Sequence, residues 1–184
     1  MNAKSTLAAF GLLLLSCSCT YKPYEHKEYE NTASNDIKPH TAQKYLEAPD
    51  QLKDNMIGSV LIRPYMISIC SESKCHGPYG LGLNLYCLRS NSIGITSIKV
   101  ESSLSKTHLA ANQKVFPIKI NLKQGADGLW VGQCYLPRQM ELDFDKGETV
   151  DITLEMTSND NRQPVKETYK FVPVMRKGRF QLID

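Results

Sequence analysis

Three segments of the chain alternate apolar and polar residues with a period of two, and each is predicted to be a β-strand. They are residues 81–88, 116–123 and 150–157. In the last of them the apolar positions are Val150, Ile152, Leu154 and Met156. One apolar and one polar face per strand is typical of an antiparallel sheet that is packed on one side only.

Weaker strand patterns fill the intervals between these three segments. They cover residues 60–70, 95–101, 129–136, 167–174 and 179–183, and turn-forming residues cluster at 125–128, 145–147 and 158–161. Residues 104–113 are the one segment of this region that is predicted to be helical. Short strands with frequent turns predict an all-β domain over residues 56–184. We expect an antiparallel β-sandwich of seven to eight strands, immunoglobulin-like or related, with a closed small barrel as the alternative.

The N-terminal part of the chain has a different composition. Lys4 precedes an apolar run over residues 7–15, which is shorter than the roughly 20 residues that a membrane-spanning helix needs. This pattern is typical of a signal peptide, which we assign to residues 1–16. Residues 17–55 are polar, carry charges of both signs and lack apolar periodicity. They are predicted to form a flexible tether.

The sequence Leu14-Leu15-Ser16-Cys17 resembles the lipobox of bacterial lipoproteins. The resemblance implies cleavage after Ser16 and attachment of acyl chains to Cys17, with Cys19 as a weaker rival. In such a protein the acyl chains provide the membrane anchor. Ser18 follows the anchor where enterobacterial lipoproteins of the inner membrane carry Asp, so the resemblance implies the outer membrane. The domain would face either the periplasm or the cell surface.

Four further cysteines, Cys70, Cys75, Cys87 and Cys134, indicate two disulfides in an exported chain. The pairing Cys70–Cys75 with Cys87–Cys134 and both alternative pairings remain open. His76 follows Cys75 directly, so zinc ligation and a stretched haem-attachment motif are the competing interpretations of this cluster. Disulfide chemistry is favoured, and no metal or cofactor is predicted.

The remaining residues predict a binding protein rather than an enzyme. No nucleophile, zinc-protease, phosphate-loop or dinucleotide motif is present in the sequence. An acidic stretch lacks the spacing of a calcium loop and is predicted to be a solvated turn; it comprises Asp143, Asp145, Glu148 and Asp151. A net charge of +3 with scattered basic residues does not indicate nucleic-acid binding.

We therefore expect an envelope lipoprotein that binds a protein partner in an envelope assembly or secretion-type complex. A partner strand would add to the strand containing Pro64 or to the C-terminal strand. The alternative is a ligand- or glycan-binding module, or an inhibitor of a foreign hydrolase, with Trp130, Tyr86 and Tyr135 as its aromatic residues. An enzyme that uses Cys75 and His76 is a third hypothesis, and it requires a free Cys75 thiol.

Overall fold

A computed structural model describes residues 21–33, 37–71, 74–104 and 116–181. Within these ranges the chain forms ten β-strands, one α-helix and two 3₁₀ segments. The strands are β1 (Tyr21–Asn31), β2 (Met56–Ile57), β3 (Val60–Ser71), β4 (Lys74–Cys87), β5 (Ser92–Ser102), β6 (Ile118–Asn121), β7 (Lys123–Gln124), β8 (Trp130–Met140), β9 (Val150–Ser158) and β10 (Val165–Gln181). The helix α1 spans Pro39–Glu47, and the 3₁₀ segments span Pro49–Asn55 and Phe144–Lys146.

The described strands form one mixed sheet with the order β2-β3-β4-β1-β10-β9-β5-β6. β1 pairs with the first residues of β4, whereas β8 pairs with a later part of β4, and β7 pairs with β8. The pairing of β1 with β4 is parallel, whereas the other described pairs are antiparallel. The all-β prediction is confirmed. The pairing does not confirm the finer expectation of seven to eight strands in an antiparallel sandwich.

The three clearest sequence patterns all correspond to strands. Residues 81–88 overlap the second half of β4, and residues 150–157 lie in β9, where buried and half-buried positions alternate throughout. Residues 116–123 are divided between β6 and β7 by Leu122, whose amide donates to the carbonyl of Asn91 (3.1 Å). Among the described strands, the hydrogen-bonded path ends at β6 and β7 joins the sheet only through β8, so the described part of the sheet is open rather than a closed barrel.

One hydrophobic core joins the inner faces of the long strands. Leu83 and Leu85 of β4 are fully buried, as are Ile152 and Leu154 of β9 and Phe171 of β10. Residues from both ends of the strand order belong to this core, so the sheet curves around it. A second, smaller cluster on the outer face places α1 against β3, β4 and the start of β8.

The prediction of a flexible tether over residues 17–55 is wrong for the part that the structure describes. β1 pairs with β10 over eleven positions, from Tyr21↔Gln181 to Asn31↔Phe171. Tyr29 of β1 is only 3% exposed, and Ile37 is fully buried. The mixed charges of this segment are matched across the sheet, since Arg176 of β10 pairs with Glu28 and Glu30. This segment lacks an apolar period of two, and its strand is instead accompanied by ion pairs between β1 and β10.

Two sequence predictions lie outside the described residues. The signal peptide and the proposed lipidation site at Cys17 fall within residues 1–20, and most of the predicted helix over residues 104–113 falls within 105–115. In the part of the chain that the structure does describe, no helix has the length and apolar character required to cross a membrane.

Candidate functional site

The outer face of β3, β4 and β8 carries a row of aromatic side chains. Tyr65 of β3 lies opposite Gly82 of β4, and Gly82 lies opposite Tyr135 of β8. Directly opposed residues on neighbouring strands place their side chains on the same face of the sheet. We call Tyr65, Gly82 and Tyr135 the tyrosine row.

Gly82 allows the two tyrosines of the row to meet across β4. A Cβ atom added to Gly82 would lie 2.7 Å from both Cε2 and Oη of Tyr65, so the Tyr65 ring occupies the space above the glycine. Burial raises the pKa of Tyr65 to about 12, and a hydrogen bond with Tyr135 adds to this rise. The Tyr135 side chain remains 62% exposed, so the row offers a supported but accessible aromatic surface.

A polar row lies directly beside the tyrosine row. It consists of Arg63, Asn84 and Gln133, which are opposed across the same three strands. The Gln133 side-chain amide donates to Asn84 Oδ1 (3.1 Å), and the Arg63 guanidinium carbon lies 5.7 Å from the centre of the Tyr65 ring. The two rows together present aromatic, amide and guanidinium groups on one face.

The next row along the strands is covered and limits the site on that side. Tyr86 lies between Leu61 and Val131 in this row and is only 4% exposed, because α1 packs on it through residues that include Ala42 and Leu46. The exposed surface thus begins at the polar row and extends across the tyrosine row.

Concave spaces flank the two rows on both sides. A cavity of about 560 Å³ lies between β1 and β3 and is lined by charged side chains that include Glu28, Arg63 and Arg176. A second cavity of about 510 Å³ lies between β8 and β6 and reaches Asn84 and Gln133. The first cavity shares Arg63 and Tyr65 with the two rows, and the second shares Asn84 and Gln133 with the polar row.

Only one of the three aromatic residues predicted for a ligand site lies on this surface. Tyr135 belongs to the tyrosine row, whereas Tyr86 is buried and Trp130 packs partly buried against the main core. Sequence reasoning missed Tyr65. Gly82, which lies within the alternating segment 81–87, was the available signal, because a glycine in a strand marks the close approach of another group.

The predicted pairing of Cys70 with Cys75 is confirmed, whereas the predicted pairing of Cys87 with Cys134 is wrong. Cys70 and Cys75 form a disulfide with an S–S distance of 2.05 Å across the β3–β4 hairpin. Among the described residues, Cys87 and Cys134 are free thiols. Cys134 lies opposite Leu83, four residues from Cys87 along β4, or about 13 Å at strand spacing. A disulfide needs Cα atoms closer than about 7 Å, so Cys87 and Cys134 are too far apart to pair.

The disulfide also decides between the interpretations of the Cys70–His76 cluster. Both sulfur atoms are bonded, so neither supplies a thiolate for zinc or a thiol for haem attachment, and Cys75 is not a free nucleophile. His76 is exposed, and its Nδ1 contacts the Gly77 carbonyl oxygen. The described ranges contain no group of three or more His, Cys, Asp or Glu side chains arranged to hold a metal ion.

The acidic stretch forms a network within and around one loop. Asp143 accepts from the Lys146 amide and pairs with the Lys146 ammonium group, which lowers the pKa of Asp143. Asp145 pairs with Lys27 of β1 (2.8 Å), and Glu148 is buried and accepts from the Asp143 amide. Asp151 lies in β9. Asp143, Asp145 and Glu148 therefore engage separate partners rather than converging on one point.

One of the two predicted strand-addition edges is obstructed over residues 60–64. The Asn55 side chain donates to the Ile62 carbonyl oxygen (2.9 Å) at the edge of β3 that faces away from β4. Alternate residues of a strand direct their backbone groups to the same edge, so Pro64 is the next residue on this edge and has no N–H to offer. Residues 172–181 of β10 pair with β1 alone, so no other described strand occupies the second predicted edge.

A polar cluster at one end of the sheet ties three turns together. We call Ser59, Asn91, Ser158 and Asp160 the clasp. Asp160 accepts from the hydroxyl groups of Ser59 and Ser158 (both 2.5 Å) and from the Ser59 amide, while Asn91 donates to Ser59 Oγ. Burial acts to raise the pKa of Asp160, but these hydrogen bonds outweigh it and hold the pKa well below its usual range.

The clasp borders a further cavity of about 590 Å³. Its walls are mainly apolar and come from Leu46, Pro49, Met56 and Leu88. The Cys87 thiol lines the same cavity and donates to the Ser59 carbonyl oxygen (3.2 Å). The carboxylate is already satisfied by its neighbours, so the clasp is a structural feature that joins the turns.

Comparisons with known proteins assign no family to the chain. No protein-family model matches it, and a search of curated proteins finds no match.

Proposed function

We propose that this protein is a bacterial envelope lipoprotein, anchored in the outer membrane through acylated Cys17, whose non-enzymatic β-domain binds a protein partner in an envelope assembly or secretion-type complex. The lipobox-like sequence at residues 14–17 supports the anchor. The Cys70–Cys75 disulfide supports it as well, because disulfides persist in oxidising, extracytoplasmic compartments.

The observation that carries the binding function is the exposed tyrosine row. Tyrosine and arginine are enriched at the energetic centres of protein interfaces, where a rigid ring buries a large area with little loss of side-chain entropy. Tyr135 is 62% exposed, yet its position is set by Tyr65 and Gly82 beneath and beside it. The adjacent Arg63 supplies the second residue type that such interfaces favour.

We also propose that the two halves of the sheet are the layers of an immunoglobulin-like sandwich. One half comprises β2, β3, β4 and β8, and the other comprises β10, β9, β5 and β6. Leu83 from the first half and Leu154 from the second belong to the same core, which supports this view. The tyrosine row would then lie on the solvent side of one layer.

Glycan binding is the second candidate, and one observation favours it. The hydrogen-bonded amides of Asn84 and Gln133 lie one row from Tyr135. Sugars are bound by stacking on aromatic rings and by hydrogen bonds to such polar groups, and this combination fits a small polar ligand. Photocrosslinking at position 135 separates the two candidates.

A photocrosslinking residue in place of Tyr135 tests the proposal in the native envelope. We expect one covalent adduct with an envelope protein, identified by mass spectrometry, because the side chain is exposed at the centre of the surface. The matched control is the same replacement at Tyr24, which also lies across a glycine, Gly178, but on β1. An adduct with polysaccharide would favour the glycan candidate, and equal protein adducts at both positions would contradict the assignment of the surface.

A further inference from the structure

The distance between the proposed anchor and the folded domain is short. β1 begins at Tyr21, four residues after Cys17. A trans peptide chain advances at most about 3.6 Å per residue, so the Cα atoms of these two residues lie within about 14 Å of each other. An anchor this close restricts which part of the domain can face the bilayer.

The first residue of β1 lies beside the last residue of β10. Tyr21 pairs with Gln181, so β1 begins where β10 ends. We call the paired part of the two strands, residues 21–30 of β1 and 172–181 of β10, the ribbon. The β3–β4 hairpin lies alongside the ribbon, because Glu25 pairs with Lys74 and His26 pairs with Cys75. The ribbon and the disulfide-closed hairpin therefore point toward the same end of the molecule.

The exposed side chains at this end suit the surface of a membrane that contains anionic lipids. Lys74 is exposed, and the Lys177 side chain is 67% exposed and forms a long ion pair (3.7 Å) with Glu25, whose side chain is 42% exposed. Ile69 and Met175 are 44% and 38% exposed, which is high for apolar residues. Basic groups attract anionic headgroups, and apolar side chains beside them enter the interfacial layer.

The clasp lies at the opposite end of the same strands. β4 starts at Lys74 in the hairpin and ends at Cys87, which contacts Ser59 of the clasp. β4 has an irregularity between His76 and Gly80, so the separation is taken along its partner β3, where the eleven residue steps from Ser71 to Val60 correspond to about 36 Å. Tyr65 of the tyrosine row is six steps from Ser71, or about 20 Å along β3.

From this geometry we infer that the ribbon and the β3–β4 hairpin lie against the membrane surface, with basic residues toward anionic headgroups and the clasp directed away from the bilayer. The inference rests on the acylation of Cys17 proposed above. It orients the tyrosine row sideways, well above the membrane, where a second envelope component can reach it.

Fluorescence quenching by spin-labelled headgroups tests this orientation. The acylated full-length protein is reconstituted into vesicles of phosphatidylethanolamine and phosphatidylglycerol. Two variants carry a single tryptophan in a Trp130→Phe background: Lys177→Trp in the ribbon and Leu88→Trp beside the clasp. Both replaced side chains are exposed, Leu88 at 51%, so they form a matched pair.

We expect the Lys177→Trp protein to lose most of its emission and the Leu88→Trp protein to retain nearly all of it. Equal quenching at both positions, or stronger quenching at position 88, would overturn the orientation. Flotation of the wild-type protein with the vesicles, compared with Cys17→Ser, is measured separately. Failure of the wild type to float would overturn the anchor itself and, with it, the inference.

Hydrogen exchange of the unsubstituted protein provides a second measurement that needs no tryptophan replacement. Membrane attachment should slow exchange in residues 172–181 relative to the soluble Cys17→Ser protein and leave residues 88–91 unchanged. The reverse pattern, or no difference in either segment, would contradict the proposed membrane face.

Discussion

Asp160→Ala is expected to lower the free energy of unfolding by about 3 kcal/mol, since hydrogen bonds to charged groups contribute about 1.5–3 kcal/mol each and several are lost together. The Asp160 carboxylate receives both seryl hydroxyl groups of the clasp and the Ser59 amide, and its side chain is only 24% exposed. Its removal leaves these donors without their acceptor and disconnects the turn after β9 from the turn before β3. Chemical denaturation at neutral pH measures the effect.

Asp145→Ala is the matched control for this substitution. Asp145 also forms an ion pair, with Lys27, but its side chain is 75% exposed. Exposed ion pairs contribute about 0–1 kcal/mol, so the control should change stability little. A similar loss in both variants would show that the clasp has no special role.

The clasp also predicts the direction of a pH effect. The pKa of Asp160 is lower in the folded protein than its ordinary value, so the carboxylate stabilises the fold at pH values above the unfolded pKa of about 3.9. This contribution is lost as the pH falls through that region and below it. The stability difference between wild type and Asp160→Asn should be constant above about pH 5 and shrink in more acidic solution. A difference that grows as the pH falls would contradict this assignment.

Tyr135→Ala is expected to weaken binding of the protein partner by about 30-fold, which corresponds to the roughly 2 kcal/mol typical of a central interface residue. The side chain is mostly exposed in the free domain, so the substitution should leave the fold intact. Affinity for the crosslinked partner, once identified, is measured by titration with the soluble Cys17→Ser form as background.

Two further variants give this prediction its specificity. Tyr24→Ala removes a tyrosine from the same kind of position, across a glycine, but on β1, and should bind with unchanged affinity. Tyr135→Phe keeps the ring and should retain most of the affinity if ring burial dominates. Unchanged binding by Tyr135→Ala would show that the tyrosine row does not bind the partner.

The features that the sequence predicted are those with local signals. β9 was predictable because Val150, Ile152, Leu154 and Met156 alternate with polar residues and all face one core. The Cys70–Cys75 disulfide was among the predicted pairings because the two cysteines lie five positions apart near a strand end. Each of these features depends on residues that are close together along the chain.

The features that the sequence did not predict depend on contacts between distant segments. β1 carries charges rather than an apolar stripe, and its ion partner Arg176 is 146 residues from Glu30. The tyrosine row needs the register of three strands, which one-residue shifts would destroy. Asp160 reaches Ser59 across 101 residues. No periodicity within a single segment carries this information.

The most direct test of the central claim is the mass of the mature N-terminal peptide from protein isolated from the native envelope. We predict that the mature chain begins at Cys17 and that this residue carries a diacylglycerol group and an acylated amino terminus. An unmodified chain, recovered free in the medium with Cys17 unacylated, would contradict it.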